Sequence, residues 1–305
     1  MDKSKILFVR AKLKKDYVFD GIKKMGYDIV IPYYDHNLFF RCIREVWFRL
    51  HLPGKSIWFN RKIRNCGYDY IIVKDPLIVP EFMEWVRSNN PKARIILSYD
   101  NRVSERLDPG VIDSSIEKWS YCEDDCNDYN LRLKPPAYLD CYRFSAQNCK
   151  IEYDIIYLGK DKGRLDQLMK LEHDFNKRGF STLFHICADR SFLKWKNKRY
   201  KPFIPYEEYL ELLKRSRASL NIMPPEQKGI TQREMEAVFD NKKCITTNKS
   251  IKQFALYDAK RFFVLGEDSI DSIGDFMNDS TEPVAESELI LYTFDKSIEA
   301  IITEE

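Results

Sequence analysis

The sequence predicts an α/β protein built from two doubly wound domains, and three observations carry that expectation. Short apolar runs of the kind buried in parallel sheets recur, such as Ile6-Leu7-Phe8-Val9 and Ile155-Ile156-Tyr157-Leu158, with segments of helical apolar spacing between them. The alternation stops in a polar, proline-bearing stretch and restarts near residue 150. The chain has 305 residues, 44% apolar and 32% charged, enough to bury two cores of ordinary size.

Taken in order, Lys5–Arg10 reads as the first strand, followed by a basic loop with Lys12, Lys14 and Lys15. A helix from Asp16 to Met25 stops at Gly26, and Tyr27–Tyr34 reads as the second strand. The loop after the first strand lacks the Gly-x-Gly-x-x-Gly that a dinucleotide site requires, which argues against an NAD-dependent oxidoreductase. Asn37–His51 predicts an amphipathic helix with Phe39, Ile43, Val46, Trp47 and Leu50 on one face. An aromatic, basic piece from Ile57 to Arg64 follows. Residues 37–64 fit either a hairpin covering the sheet or a contact with an anionic membrane surface. Tyr68–Lys74 and Arg94–Tyr99 predict the third and fourth strands, with a helix between them ending near Asn89. Asp113–Trp119 predicts a helix. The acidic run Glu123–Asp128 suits either a capped helix or a divalent cation site, and the helix is preferred. Lys134-Pro135-Pro136 and Ser145–Cys149 mark the inter-domain region, placing the first domain at 1–147 and the second at 148–286.

The second domain repeats the pattern. A strand at 153–159 leads into Gly159-Lys160-Asp161-Lys162-Gly163-Arg164 and a helix from Leu165 to Lys177. Glycine, positive charge and a helix start together suit an anion, because the first backbone N–H groups of a helix have no internal partner. Phe180–Cys187 is the next strand, and a helix through Arg215 opens at Pro205. The apolar run 218–223 then leads through Gly229, Thr231 and Arg233 into a helix ending near Asp240. That unit offers a second helix start, a hydroxyl and a forked cation. Glu236 shares the Arg233 face and suits a ribose diol. Strands at 244–247 and 261–265, a short helix at 251–256 and a final helix at 289–303 complete the reading.

The pattern Gly229-x-Thr231-x-Arg233-x-x-Glu236-Ala237, followed by Asn241-Lys242-Lys243-Cys244-Ile245-Thr246-Thr247-Asn248, resembles the donor-site region of bacterial GT-B glycosyltransferases of capsule and lipopolysaccharide assembly. Asn241 stands where many of those enzymes carry glycine. The resemblance implies two Rossmann-like domains facing each other across a cleft. It implies a nucleotide-sugar donor, with a UDP-sugar favoured, on the second domain. Gly159, Lys160, Lys162, Arg164, Gly229, Thr231 and Arg233 would face the diphosphate, and Glu236 would hold the ribose. The acceptor would be a surface glycan, in some cases lipid-linked, and residues 287–305 would pack back on the first domain. Such enzymes commonly work without a metal, so no cofactor is expected. A carboxylate of the first domain often takes the acceptor proton. Asp16 and Asp100 are the leading candidates, Asp35 and Asp75 lie at equivalent strand ends, and the pattern does not choose among them. An epimerase of the same architecture and a non-catalytic sugar-nucleotide binding subunit remain alternatives.

The net charge of +3 does not point to nucleic acid. No apolar run is long enough to span a bilayer, and the N-terminus lacks the features of a secretory signal, so a cytoplasmic protein, at most at the inner face of the membrane, is expected. The eight cysteines form no Cys-x-x-Cys pair and read as reduced thiols, and no structural zinc site is expected.

Overall fold

A computed structural model of the chain describes residues 1–12, 16–34, 37–144, 149–189, 197–224 and 229–304. Lys14, Lys15, Asp35, Lys228, most of the 145–149 stretch and part of the basic 189–201 segment lie outside the described residues. The chain forms two compact units: Met1–Pro136 with Asp295–Glu305, and Ala137–Phe294. The division falls at Pro136, where sequence reading put it near 147. Tyr138, Leu139 and Tyr142 are buried within the second unit, and Tyr138 stacks on Phe239 at 4.5 Å.

The first unit is a parallel sheet of six strands: β1 (Ile6–Val9), β2 (Asp28–Val30), β3 (Tyr70–Lys74), β4 (Arg94–Tyr99), β5 (Glu117–Ser120) and β6 (Arg132–Leu133). Their order is β2-β1-β3-β4-β5-β6. The helices α1 (Tyr17–Lys24), α2 (Leu38–Arg49), α3 (Pro80–Asn89) and α4 (Glu123–Tyr129) complete the main chain pattern. The β1 and β3 strands are buried along nearly their whole length, as expected for strands covered on both faces. Tyr33, Phe48, Phe59, Phe82 and Trp85 form an aromatic cluster on one face, with centroid distances of 5.2 to 6.4 Å.

Two local expectations are corrected, at residues 117–120 and in α2, and one, the helix over the acidic run, holds. Residues 117–120 form β5 rather than the end of a helix, because pairing with β4 from Ile96↔Glu117 to Tyr99↔Ser120 outweighs the local pattern. The acidic run is helix α4, with Asp125 buried, paired to Arg102 at 2.8 Å and accepting from Val103 N at 3.0 Å. Helix α2 turns its polar side inward. Arg44 is fully buried over the Tyr33 ring at 4.2 Å and paired with Glu45 at 2.7 Å, while Phe39, Val46 and Leu50 are exposed. The piece at 55–63 is two short 3-10 turns.

The second unit is a parallel sheet of five strands: β7 (Tyr153–Lys160), β8 (Thr182–Cys187), β9 (Ser216–Asn221), β10 (Lys243–Thr246) and β11 (Phe262–Val264). The order is β11-β10-β9-β7-β8. The helices are α5 (Leu165–Lys177), α6 (Tyr206–Lys214), α7 (Gln232–Phe239), α8 (Ile273–Asn278) and α9 (Glu286–Leu289). Separate cores cover its two faces, one centred on Phe175, Phe184 and Phe276 and the other on Met235, Phe239 and Phe262. The fold is therefore α/β with two Rossmann-like units.

The terminal segment is not one helix. It breaks at Thr293, whose backbone is extended, and resumes as α10 (Phe294–Thr303). Arg94 donates to the carbonyls of Ile302 and Glu304 at 2.6 Å, satisfying orphan acceptors at the helix end. Asp295 accepts from Tyr27 at 2.8 Å and pairs with Lys3 at 2.7 Å. Among the described residues no helix is long and apolar enough to cross a membrane. All eight cysteines are free.

Candidate functional site

In each sheet the strand order reverses direction at one point. Ligands of open α/β sheets bind beyond the carboxyl ends of the strands at that point. In the second unit the point lies between β7 and β9, and the two loops singled out in the sequence leave those strands.

Arginines tie these loops together. The Arg164 Nη1 donates to the carbonyl of Ile222, just past β9. The Arg233 Nη2, from the start of α7, donates back to the Leu158 carbonyl in β7. Gly159 leaves little room at this approach: a Cβ there would stand 3.4 Å from Arg233 Nη2 and 3.3 Å from the Tyr157 hydroxyl. The Arg233 guanidinium also lies against the Tyr157 and Tyr209 rings, 5.9 and 5.5 Å from their centroids.

Lys160 and Lys162 project from the same loop and are exposed. Among the described residues no hydrogen bond or ion pair engages either ammonium. Partial removal from water lowers the Lys162 pKa, and Arg164 adds to that effect; Asp189 opposes it, while Lys160 and Arg233 push the same way. Lys160, Lys162, Arg164 and Arg233 thus form one cationic group. The 13-residue helix α5 starts directly behind it, with no side chain capping its first N–H groups. Cations beside free helix N–H donors suit a multiply charged anion.

Thr231 and Glu236 serve inside the fold. Thr231 caps α7 in a reciprocal box: its N–H donates to Glu234 Oε2 at 2.7 Å, and its hydroxyl oxygen accepts from the Glu234 N–H at 3.5 Å. Glu234 is fully buried and also accepts from Thr246 at 2.9 Å, Asn221 at 3.1 Å and Asn248 at 3.1 Å. Asn248 in turn donates to the Gly229 carbonyl at 3.0 Å. Gly229 has φ +95°, which only glycine adopts without strain. This network fixes the turn into α7, and the sequence reading missed it; its one visible signal was Asn221 inside an apolar run. Glu236 is 1% exposed. Its carboxylate accepts from the Tyr206 hydroxyl at 2.6 Å and from the Tyr209 hydroxyl.

In the first unit the strand order reverses between β1 and β3. Here Asp100 takes 2.8 Å from Arg10, 2.7 Å from Lys134 and 3.1 Å from Lys74. Burial works against its ionisation, but Lys134, Lys74 and Arg10 outweigh it and hold the carboxyl far below the usual range. Burial lowers Lys74 to about 8, with Asp100 opposing. Asp16 caps α1, accepting from Phe19 N at 3.2 Å, and pairs with Arg10 at 3.2 Å. Asp75 differs: it accepts from Asp100 N at 2.7 Å and Asn101 Nδ2 at 3.1 Å, but among the described residues no cation pairs with it. Burial and the neighbouring Asp100 charge push its pKa up to about 6. Sequence reading had not foreseen the three cations; each closes an apolar run or precedes Pro135-Pro136, a common place for a surface charge. Among the described residues no three His, Cys, Asp or Glu side chains gather as a metal site.

No protein-family model matches the chain, and no curated protein matches it. Among solved structures it is similar to that of the DNA-modifying enzyme beta-glucosyltransferase, determined with and without uridine diphosphoglucose. The identity is 14%, over 98% of this chain and 95% of that one, with a TM-score of 0.48. Similarity of that degree assigns no chemistry.

The Glu236 pocket gives a prediction with a definite sign. Burial raises this carboxyl from 4.5 to about 7, against the opposing Arg233 charge and tyrosine hydrogen bonds. Between those values the unfolded chain releases a proton that the folded protein keeps, so this group's contribution to stability falls as pH rises from 4.5 to 7. Urea denaturation across that window should show a smaller fall for Glu236→Gln than for wild type. Equal slopes would mean that Glu236 does not hold a proton in the folded state.

Proposed function

We propose that the protein is a glycosyltransferase that moves a sugar from a nucleoside-diphosphate donor to an acceptor hydroxyl. The observation that carries this reading is the convergence of Lys160, Lys162, Arg164 and Arg233 at the β7/β9 reversal, with the uncapped start of α5 behind them. A nucleoside diphosphate leaving group gains negative charge as the glycosidic bond breaks. Fixed cations and N–H dipoles aimed at it stabilise that charge without rearranging. In this reading the cations do the work that a metal does elsewhere, and transfer needs no metal.

Arg233 would act on the diphosphate, and its aim is set by Tyr209, whose hydroxyl is held by Glu236. Glu236 is therefore assigned as a positioning residue rather than as the ribose ligand suggested by the resemblance. For the proton on the acceptor, Asp75 is better suited than Asp16 or Asp100. Asp100 is a very weak base and Asp16 is committed to its helix, whereas a carboxylate of pKa about 6 is ionised at neutral pH yet basic enough to share a proton in the transition state. The reaction balances with the acceptor O–H proton passing to Asp75, the acceptor oxygen bonding to the anomeric carbon, and the donor diphosphate departing with the electron pair. A surface glycan is the acceptor class that the sequence resemblance favours.

Calorimetric titration with UDP, GDP, CDP and ADP, first without metal and then with magnesium, tests the donor site. One nucleotide should bind without metal, and Lys162→Ala or Arg233→Ala should weaken it about 10-fold or more. Strictly magnesium-dependent binding that survives both changes would overturn the reading. Sugar transfer, followed as release of the nucleoside diphosphate, should rise with pH through about 6 as Asp75 ionises. In Asp75→Asn that limb should vanish and the rate drop by roughly 10²- to 10⁴-fold. An unchanged profile in that variant would remove Asp75 as the base.

A further inference from the structure

The proposed chemistry leaves residues 37–64 unused, and this stretch is unusual in both its charge and its exposed surface. It holds seven cationic residues and one acid, a net charge of +6 in a chain whose total is +3, so the rest of the chain carries −3. Its acid, Glu45, is already paired with Arg44 at 2.7 Å and Arg106 at 2.9 Å. Arg41, Arg49, Arg61, Lys62 and Arg64 have no ion-pair partner among the described residues.

Helix α2 presents apolar side chains to solvent. Arg44 and Phe48 define its buried stripe. Phe39, Val46 and Leu50 lie on the opposite side of the 3.6-residue turn, with Leu38 on the flank; the four are 56 to 76% exposed, and Ile57 in the next turn is 57% exposed. Scattered exposed apolar residues are ordinary, but a helix that buries an arginine and exposes its leucines is not.

We propose that this face docks on an anionic lipid bilayer. The apolar residues of α2 would enter the boundary between headgroups and acyl chains, and the exposed Arg49, Arg61, Lys62 and Arg64 would sit among the anionic headgroups. Charge alone would fit a nucleic acid equally well. Phosphate backbones, however, give no purchase to Leu38, Val46, Leu50 and Ile57, whereas a bilayer buries them. The inference does not depend on the glycosyltransferase reading.

The test is co-sedimentation of the full chain with vesicles of pure phosphatidylcholine and with vesicles containing phosphatidylglycerol. Wild type should partition onto the anionic vesicles about 10-fold or more above the neutral ones, and 1 M salt should weaken that binding. Leu38→Asp combined with Leu50→Asp should release the protein while leaving nucleotide binding unchanged, because both side chains are solvent-exposed. Arg61→Glu with Lys62→Glu should abolish the preference for anionic lipid. Three results would overturn the proposal: no binding to anionic vesicles, equal vesicle binding by the aspartate variant, or tighter binding to duplex DNA that the aspartate variant retains. Sedimentation velocity gives a fourth. A wild-type dimer that becomes a monomer in the aspartate variant would assign the face to a second copy of this chain.

Discussion

Two arginine-to-carbonyl hydrogen bonds are the constraint on which the second unit's site depends. Arg164 reaches the Ile222 carbonyl and Arg233 reaches the Leu158 carbonyl. Each spends part of a guanidinium on the end of the other loop's strand. Grouped cations repel, so a loop carrying Lys160, Lys162 and Arg164 beside Arg233 would tend to splay unless something holds it. The strand-end carbonyls provide that hold, since a neutral acceptor binds the guanidinium without cancelling its charge. The Thr231–Glu234–Asn248 network does the same for the turn at Gly229, using a buried carboxylate well behind the cations.

The two units treat charge at their strand ends in opposite ways. In the second, no ion pair engages the cations among the described residues; Asp189 acts on Lys162 and Glu236 on Arg233 without pairing. In the first, Arg10, Lys74 and Lys134 close on Asp100, and the resulting ion-paired cluster fixes the backbone next to Asp75. The difference follows from one residue, Asp100, placed to accept from three cations. Its neighbour is then the carboxylate left with a raised proton affinity. A positive site and a moderately basic carboxylate are the two electrostatic parts that sugar transfer from a diphosphate donor requires.

Local pattern revealed much of the architecture. Strand 94–99 and helix 165–177 match the expected bounds at both ends, because a clear apolar period is closed there by turn residues. The Gly159–Arg164 and Gly229–Arg233 loops were also legible as anion-binding candidates from glycine, charge and helix starts. What stayed hidden depends on partners remote in sequence. The direction of α2 was misjudged because Arg44 is buried only by virtue of Tyr33 and the Glu45–Arg106 pair. Glu236 reads as a ribose ligand from its spacing to Arg233, and nothing near it in the sequence announces that Tyr206 and Tyr209 of α6 hold its carboxylate. The cations around Asp100 stayed hidden for the same reason: they come from just past β1, from the end of β3 and from just past β6.

The central claim is that the four cations recognise a diphosphate. Its most direct measurement is a calorimetric ladder of nucleoside, nucleoside monophosphate and nucleoside diphosphate of one base, in wild type and in a Lys160→Ala/Lys162→Ala double variant. The account predicts that most of the affinity appears with the phosphates, that this increment shrinks as salt is raised, and that the double variant loses the increment while binding the nucleoside as before. A nucleoside that binds as tightly as its diphosphate, or a double variant that keeps the full increment, would contradict it.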